Sequence, residues 1–388
     1  MAGSFLLRSV RIENFKAVRR SGSVKLTPLT VFIGNNGSGK SSLIEALETY
    51  RTILLEGLDV AMERWHGMDH ILNHRAEPRR RSGANGIGEP EKDILFELKG
   101  RCHAGRFHSR LKAGLEPGGN RIGITEEVFE LPAEEGYWRR DEDGWLDGRR
   151  AAHGAKQVAR SQIFPGESVA PHDWVWLVRR WQFLALNPQP MGEPSPQRRT
   201  GGPPMLNRDG SNLGQYLWSL REASVDAFND LLEALQYVLP YARDVQPTIT
   251  QEIERLIFLE MTEENFKVPG WLLSTGTLRI LALLACLRHP DPPPLLVVEE
   301  IENGLDPRAI HLLVEEFRAA IDAKKTQILV TTHSPYLLDL LDLSHIVVVE
   351  RVEGEPVFRR PDRAQLAEWS KSFAPGRLYT MGRLTGKS

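Results

Sequence analysis

Apolar and polar positions follow three different rhythms along this chain. From Phe5 to Phe15 they alternate: Leu7, Val10 and Ile12 sit among Arg8, Ser9, Arg11 and Glu13, which predicts a half-buried strand. Val24-Lys25-Leu26 predicts its hairpin partner, and the almost continuous apolar run Leu29-Thr30-Val31-Phe32-Ile33 predicts a buried strand. Ser42 to Glu48 then changes to helical spacing, with Leu43, Ile44 and Leu47 on one face. Residues 51–76 continue helical at first (Ile53, Leu54, Leu58, Met62, Trp65) and run into a basic, Gly/Pro-rich stretch containing Arg79-Arg80-Arg81. Residues 93–100 and 122–131 predict antiparallel strands. Between about 132 and 175 the pattern dissolves into Gly, Asp, Arg and Trp, and residues 188–204 form a Pro/Gly linker or surface loop.

Periodicity returns after Asp209-Gly210-Ser211. Leu213, Tyr216, Leu217 and Leu220 predict one amphipathic helix, and Val225, Phe228, Leu231, Leu232 and Leu235 a second. From residue 278 onward helices and short buried strands take turns: helix 278–287, strand 295–298, helix 310–321, strand 328–330 and strand 346–349. That alternation predicts an α/β fold with a largely parallel sheet covered on both faces, beside an antiparallel β-rich opening. The chain carries no sustained heptads and no internal repeat.

Composition narrows the setting. The 388 residues, 41% hydrophobic and 26% charged, give length for two or three packed lobes. A net charge of −2 gives no bulk reason to expect nucleic acid, so any such contact has to come from a local patch. Cys102 and Cys286 lie far apart with no C-x-x-C, which predicts two reduced thiols, Cys286 packed in a helix core. With no charged-then-apolar leader and no apolar run of spanning length, the expectation is a cytoplasmic chain without membrane contact.

The chemistry concentrates in Gly34-Asn35-Asn36-Gly37-Ser38-Gly39-Lys40-Ser41, a full match to the phosphate-binding P-loop between a predicted strand and a predicted helix. Asn35 to Ser42 would wrap phosphate oxygens with backbone N–H groups, Lys40 would pair with the β- and γ-phosphates, and Ser41 would ligate Mg²⁺. Further along, the strand Leu295–Val298 ends in Glu299-Glu300. Two carboxylates there suit one metal contact and one general base for the water that attacks the γ-phosphate. Asn303-Gly304-Leu305-Asp306-Pro307 is a tight turn opening a helix, and Thr331-Thr332-His333-Ser334-Pro335 follows a buried strand, which suits His333 to sensing the γ-phosphate. Leu273-Ser274-Thr275-Gly276-Thr277 opens an apolar helix; it reads either as an anion-binding nest or as a plain helix cap.

In this order the motifs resemble the ABC-type ATPase head, and within it the RecF/SMC/OLD branch of stand-alone "AAA family" ATPases. Val10-Arg11-Ile12-Glu13-Asn14-Phe15-Lys16, the P-loop with Ser42, Leu273 to Arg279, and Glu299 to Pro307 all resemble that branch rather than transporter heads. The likeness covers about residues 1–50 and 205–350 specifically. It implies a head at 1–50 and 205–388, including the helical segment 210–240, with an inserted helical/β lobe at 51–204. It further implies ATP and Mg²⁺ as ligands and a head-to-tail homodimer, in which Ser274, Thr275 and Gly276 meet the partner's ATP. Glu299 is then on the metal side, Glu300 is the catalytic base, Asp306 lies in the dimer-facing turn and His333 is the switch histidine. Glu299 stands where Asp is commoner, and Gln182 is the one candidate for the Mg²⁺-contacting glutamine. Only 55 residues follow His333 and no acidic TOPRIM-like or H-N-H segment lies among them, so any nuclease is expected on a separate chain.

Two uses of ATP remain open at this level. One is an ATP-hydrolysing clamp on DNA, in antiphage defence or repair; the other is a nucleotide-gated scaffold that turns over slowly and holds a separate effector. The inserted lobe carries Arg79-Arg80-Arg81, Arg139-Arg140, Arg149-Arg150 and Arg198-Arg199, with Trp138 and Trp145 near two of these runs. Interleaved Asp141, Glu142, Asp143 and Asp147 are equally consistent with solvated loops.

Overall fold

The computed structural model describes residues 5–75, 93–103, 105–115, 121–131, 136–140, 145–152, 155–162, 168, 170–198, 204–250 and 255–384. In chain order the elements are β1 (Leu6–Phe15), β2 (Val18–Arg20), β3 (Val24–Lys25), β4 (Leu29–Ile33), α1 (Lys40–Glu56), α2 (Leu58–Glu63) and α3 (Met68–Ile71). Then follow β5 (Ile94–Cys102), β6 (Gly105–Leu115), β7 (Ile122–Leu131), β8 (Gly136–Arg140), β9 (Trp145–Ala152), β10 (Ala155–Gln162), α4 (His172–Arg179), β11 (Gln182–Leu184), α5 (Pro188–Met191) and β12 (Ser195–Pro196). Next are α6 (Leu213–Ala223), α7 (Val225–Val238), β13 (Ala242–Ile249), β14 (Leu256–Glu263), β15 (Phe266–Pro269), α8 (Thr275–Leu287) and β16 (Leu295–Val298). The chain closes with α9 (Pro307–Asp322), β17 (Gln327–Thr332), α10 (Pro335–Asp339), β18 (Ile346–Val352), β19 (Glu355–Arg359), α11 (Arg363–Leu366) and α12 (Pro375–Thr380). Two compact units share them.

The first unit comprises Met1–Pro28, Phe32–Trp181 and Val347–Pro361. Its sheet is antiparallel in the order β10-β9-β8-β7-β6-β5-β1-β2, with β3 also paired to β1. The alternation expected for β1 continues through β5, β6 and β7. Val10, Ile12, Phe96, Leu98, Phe107, Leu111 and Phe129 are buried, while Glu97, Lys99, His108 and Glu130 form a charged ladder on the other side. Helix α1 is joined to this sheet by a buried polar cluster. The Tyr50 hydroxyl lies 2.6 Å from Ser109 Oγ and accepts a hydrogen bond from Trp174 Nε1 at 2.9 Å. Burial pushes the Tyr50 phenol well above its ordinary range. The stretch 132–175, where the sequence pattern dissolves, holds β8, β9, β10 and the start of α4. Backbone pairing carries the strands there, β8 on β7 in register from Glu127↔Arg140 to Leu131↔Gly136, β9 on β8 and β10 on β9, without an apolar alternation to announce them.

The second unit comprises Leu29–Val31, Gln182–Ile346 and Asp362–Ser388. It contains parallel strands in the order β11, β16, β17, with the Leu29–Val31 part of β4 next. A smaller antiparallel sheet runs β12-β14-β13, with β15 on β14. Helix α8 is buried from Thr277 to Leu287; each fully buried Leu or Ile there contributes about 1.5–3 kcal/mol. Helices α7, α8 and α9 start on capping side chains: Ser224 accepts from Ala227 N, Ser274 from Thr277 N, and Asp306 from Arg308 N and Ala309 N. The units part at Trp181 and Gln182, because β11 pairs with β16 and so enters the second unit. No described helix is long and apolar enough to cross a membrane.

Candidate nucleotide site

The P-loop lies in the first unit, between β4 and α1. Gly37 and Gly39 take φ of +72° and +107°, the left-handed region open to glycine, and Gly39 stands at the N-cap of α1. No side-chain hydrogen bond caps α1 among the described residues, and its first turn holds no acidic residue. Its leading N–H groups and the positive end of its dipole are therefore directed at the loop. Lys40, 6% exposed, folds back so that Nζ donates to Gly34 O at 2.7 Å and Asn35 O at 3.1 Å. Ser38 Oγ is buried without a hydrogen-bond partner among the described residues. Asn35, Asn36, Gly37 and Ser41 are exposed and Ser42 is buried. A buried cation, an orphaned hydroxyl and uncapped helical N–H groups fit a polyphosphate.

The β18–β19 hairpin braces this loop from the same unit. A Cβ at Gly34 would run into the Val349 carbonyl oxygen, and one at Gly39 would lie 2.6 Å from Pro356 Cγ. Arg351 Nε donates to Gly37 O at 2.8 Å. Arg351 was not foreseen from sequence; its hydrogen bond spans 314 positions.

The acidic strand end lies in the second unit. All four residues of β16 are buried, and Glu299 follows with 15% side-chain exposure. Its Oε1 accepts from Arg208 Nη2 at 2.5 Å. Glu300 is exposed and held at φ +48°, with its N–H donating to Thr331 Oγ1 at 2.9 Å. A left-handed glutamate costs of order 1 kcal/mol and persists only where neighbours fix it, which the Thr331 bond does. Asn303 Nδ2 donates to Glu300 Oε2 at 2.5 Å. His333, partly exposed, gives its backbone N–H to Glu302 Oε1, so Glu302 ties the acidic turn to the loop that carries the histidine.

The small-residue turn meets the Asp306 turn directly. A Cβ on Gly276 would lie 2.5 Å from Gly304 O, and Gly304, at φ +70°, has Thr275 Oγ1 3.1 Å from where its own Cβ would stand. Ser274 and Asp306 each cap a helix, so the plain-cap reading of the Ser274 turn holds alongside any ligand role. Arg279, one helical turn on, is 7% exposed. Burial lowers the pKa of its guanidinium, while Glu300 and Glu302 act to raise it.

Gln182 is the first residue of β11, opposite Leu296 and 5% exposed. Its Nε2 donates to Leu206 O at 2.7 Å, which commits the amide to the interior, as a buried amide must be. The exposed glutamine beyond the end of β11 is Gln189, in α5, whose N–H donates to Asn187 Oδ1. It escaped the sequence reading because a three-residue strand leaves no periodic signal. No group of three His, Cys, Asp or Glu among the described residues could hold a metal by itself. The Ser41 hydroxyl and the Glu299 carboxylate are hard oxygen donors of the kind Mg²⁺ takes alongside phosphate and water. Of the basic runs, Arg139-Arg140 lies in β8 and Arg149-Arg150 in β9, Arg198 is exposed, and Arg79-Arg80-Arg81 and Arg199 fall outside the described residues.

Comparison with known proteins bears on the family and the fold. Residues 6–52 match the model "AAA ATPase domain", and residues 204–339 match "AAA domain, putative AbiEii toxin, Type IV TA system". The Nod factor export ATP-binding protein I of Sinorhizobium fredii is 38% identical over 115 residues, 28% of this chain and 32% of that protein. Its namesake from Bradyrhizobium diazoefficiens is 41% identical over 86 residues, 22% of this chain and 27% of that one. The chain thus spans about a third or less of the curated relatives it matches. Among solved structures, an Smc head bound to the C-terminal winged-helix domain of ScpA aligns over 91% of this chain and 96% of its own, with a TM-score of 0.55 and 14% identity. An Smc head with an extended coiled coil, bound to the C-terminal domain of ScpA and derived from Pyrococcus furiosus, aligns over 95% and 99%, with a TM-score of 0.55 and 12% identity. At such identities the likeness is one of fold.

Proposed function

We propose that this chain, an AAA/ABC-type ATPase domain with the fold of an SMC head, hydrolyses ATP and uses the cycle to close and open a head-to-tail homodimer. Residues 35–42 hold the triphosphate, with Lys40 leaving its two loop carbonyls for phosphate oxygens. Ser41 and Glu299 would supply oxygen ligands to Mg²⁺, and the metal would offset phosphate charge. Glu300 takes the proton of the attacking water, and His333 orients against the γ-phosphate. Ser274, Thr275, Gly276 and Asp306 face the nucleotide held by the second copy. The observation that carries this reading is Glu300, presented at the end of a buried strand with its backbone locked by Thr331.

The process served is DNA-related, in antiphage defence or repair. The description matched by residues 204–339, which names a putative toxin of a toxin–antitoxin system, supports the defence setting. DNA contact would run through the inserted strands β8 and β9, which carry Arg139-Arg140 and Arg149-Arg150. The second reading, a slow nucleotide-gated scaffold for a separately encoded effector or nuclease, is favoured by the Arg208 cation on the Glu299 carboxylate. The test compares the wild type with Glu300→Gln for nucleotide affinity, ATP turnover and mass in solution. The expected mutant binds ATP, loses turnover by at least about 100-fold and accumulates as a dimer. A mutant that turns over like the wild type removes Glu300 from the mechanism. Salt-sensitive binding of duplex DNA by the trapped dimer separates the clamp from the scaffold.

A further inference from the structure

Arg208 has no part in the nucleotide chemistry described above, yet its position is heavily constrained. Its carbonyl accepts from Ala185 N at 2.8 Å, and the Asp209 carbonyl accepts from Asn187 N at 2.9 Å, so the chain at 208–209 is pinned along the extension of β11. The loop around it is closed by Asn212, which accepts from Asn207 N at 2.7 Å and donates to Met205 O at 2.8 Å. Glu299 is pinned to the same strand, because its N–H donates to Leu184 O at 2.8 Å. With both backbones fixed on β11, the 2.5 Å bond between Arg208 Nη2 and Glu299 Oε1 is a built contact, not a chance meeting of long side chains.

We infer that Arg208 is a resident counter-cation that occupies Glu299 until a divalent metal displaces it. The inference rests on Glu299 being the metal-side carboxylate. Glu299 and Glu300 are consecutive at one strand end, and Arg208 offsets the charge of the first. A guanidinium bonded to Oε1 and a Mg²⁺ on either oxygen of the same mostly buried carboxylate would be two cations a few ångströms apart, and their repulsion opposes joint occupancy. Metal entry is therefore an exchange, and Arg208 sets the Mg²⁺ concentration at which it happens. Arg208 is a positioning residue whose release accompanies loading.

The test follows binding rather than turnover: fluorescence of a labelled ATP analogue on the full chain, titrated with MgCl₂. Arg208→Gln is expected to lower the half-saturating Mg²⁺ about five- to tenfold, what one partly exposed charge-assisted hydrogen bond is worth. Arg208→Lys, which keeps the charge without the fork, is expected to move it in the same direction by less, and it stands in if the glutamine variant does not fold. In a Glu299→Gln background the effect of Arg208→Gln should vanish. An unchanged or raised Mg²⁺ requirement in Arg208→Gln overturns the exchange while leaving ATP binding intact. A wild type that binds no nucleotide at any Mg²⁺ overturns the ATP reading itself, and the exchange with it.

Discussion

Glu302 offers the sharpest separation of binding from chemistry. Its one described hydrogen bond is from the His333 backbone N–H to Oε1, and Oε2 is buried without a hydrogen-bond partner among the described residues. Replacing it with alanine removes a bond to a charged acceptor, worth about 1.5–3 kcal/mol. At 1.36 kcal/mol per decade, the His333 loop then departs from its present position about 10- to 150-fold more readily. Glu302→Ala should thus lower turnover at least about tenfold in a steady-state phosphate-release assay, while affinity for a labelled ATP analogue stays within about twofold. Glu302→Gln keeps an acceptor oxygen without the charge and should fall between the two. If Glu302→Ala turns over like the wild type, the carboxylate does not hold the His333 loop in a form that matters. If it loses nucleotide affinity instead, the reasoning that separates the acidic turn from phosphate binding is wrong.

Tyr50→Phe would strand the buried Trp174 N–H and cost about 2 kcal/mol, lowering Tm by about 5 °C in a thermal scan; an unchanged Tm would mean that the buried cluster joining α1 to the sheet adds nothing. Burial raises the Cys286 thiol to about 12, so a thiol reagent at pH 8 should label Cys102 promptly and Cys286 only on unfolding. Because that folded pKa lies above the unfolded value of 9.0, its contribution to stability is complete below pH 9 and is lost as pH rises toward 12. Denaturant titrations across that range should show the decline, and Cys286→Ala should flatten it.

The strands most legible in the sequence were those buried on both faces. β4, β16 and β17 read as unbroken apolar runs, and the P-loop and the Glu299-Glu300 pair could be placed by their position after such runs. β6 went unseen although Phe107, Ser109, Leu111 and Ala113 alternate inward. Its interior includes a serine that serves Tyr50, and its outer face is Arg, His and Lys, so the stretch looks polar throughout. β14 alternates inward at Ile257, Leu259 and Met261, but Phe258 on its outer face blurs the pattern, while β8–β10 are held by backbone pairing to a neighbour. The site residues absent from the sequence reading, Arg208, Glu302 and Arg351, act on partners 91, 31 and 314 positions away. Gln182 is the candidate for the Mg²⁺-contacting glutamine that the resemblance implies, and its buried hydrogen bond to Leu206 O, 24 positions away, is not legible in the sequence around it.

The hairpin behind the P-loop has a consequence for synthesis. The loop around residue 37 is made early, but Arg351 reaches Gly37 only after a further 314 residues have been added. At about 5–20 residues per second this is roughly 15–60 s of translation, during which the left-handed turns at Gly37 and Gly39 stand without Val349, Arg351 or Pro356 behind them. Such a nascent chain carries the phosphate-binding motif but not the contacts that shape it. Full nucleotide competence therefore arrives late, after the acidic turn and the His333 loop have already been made.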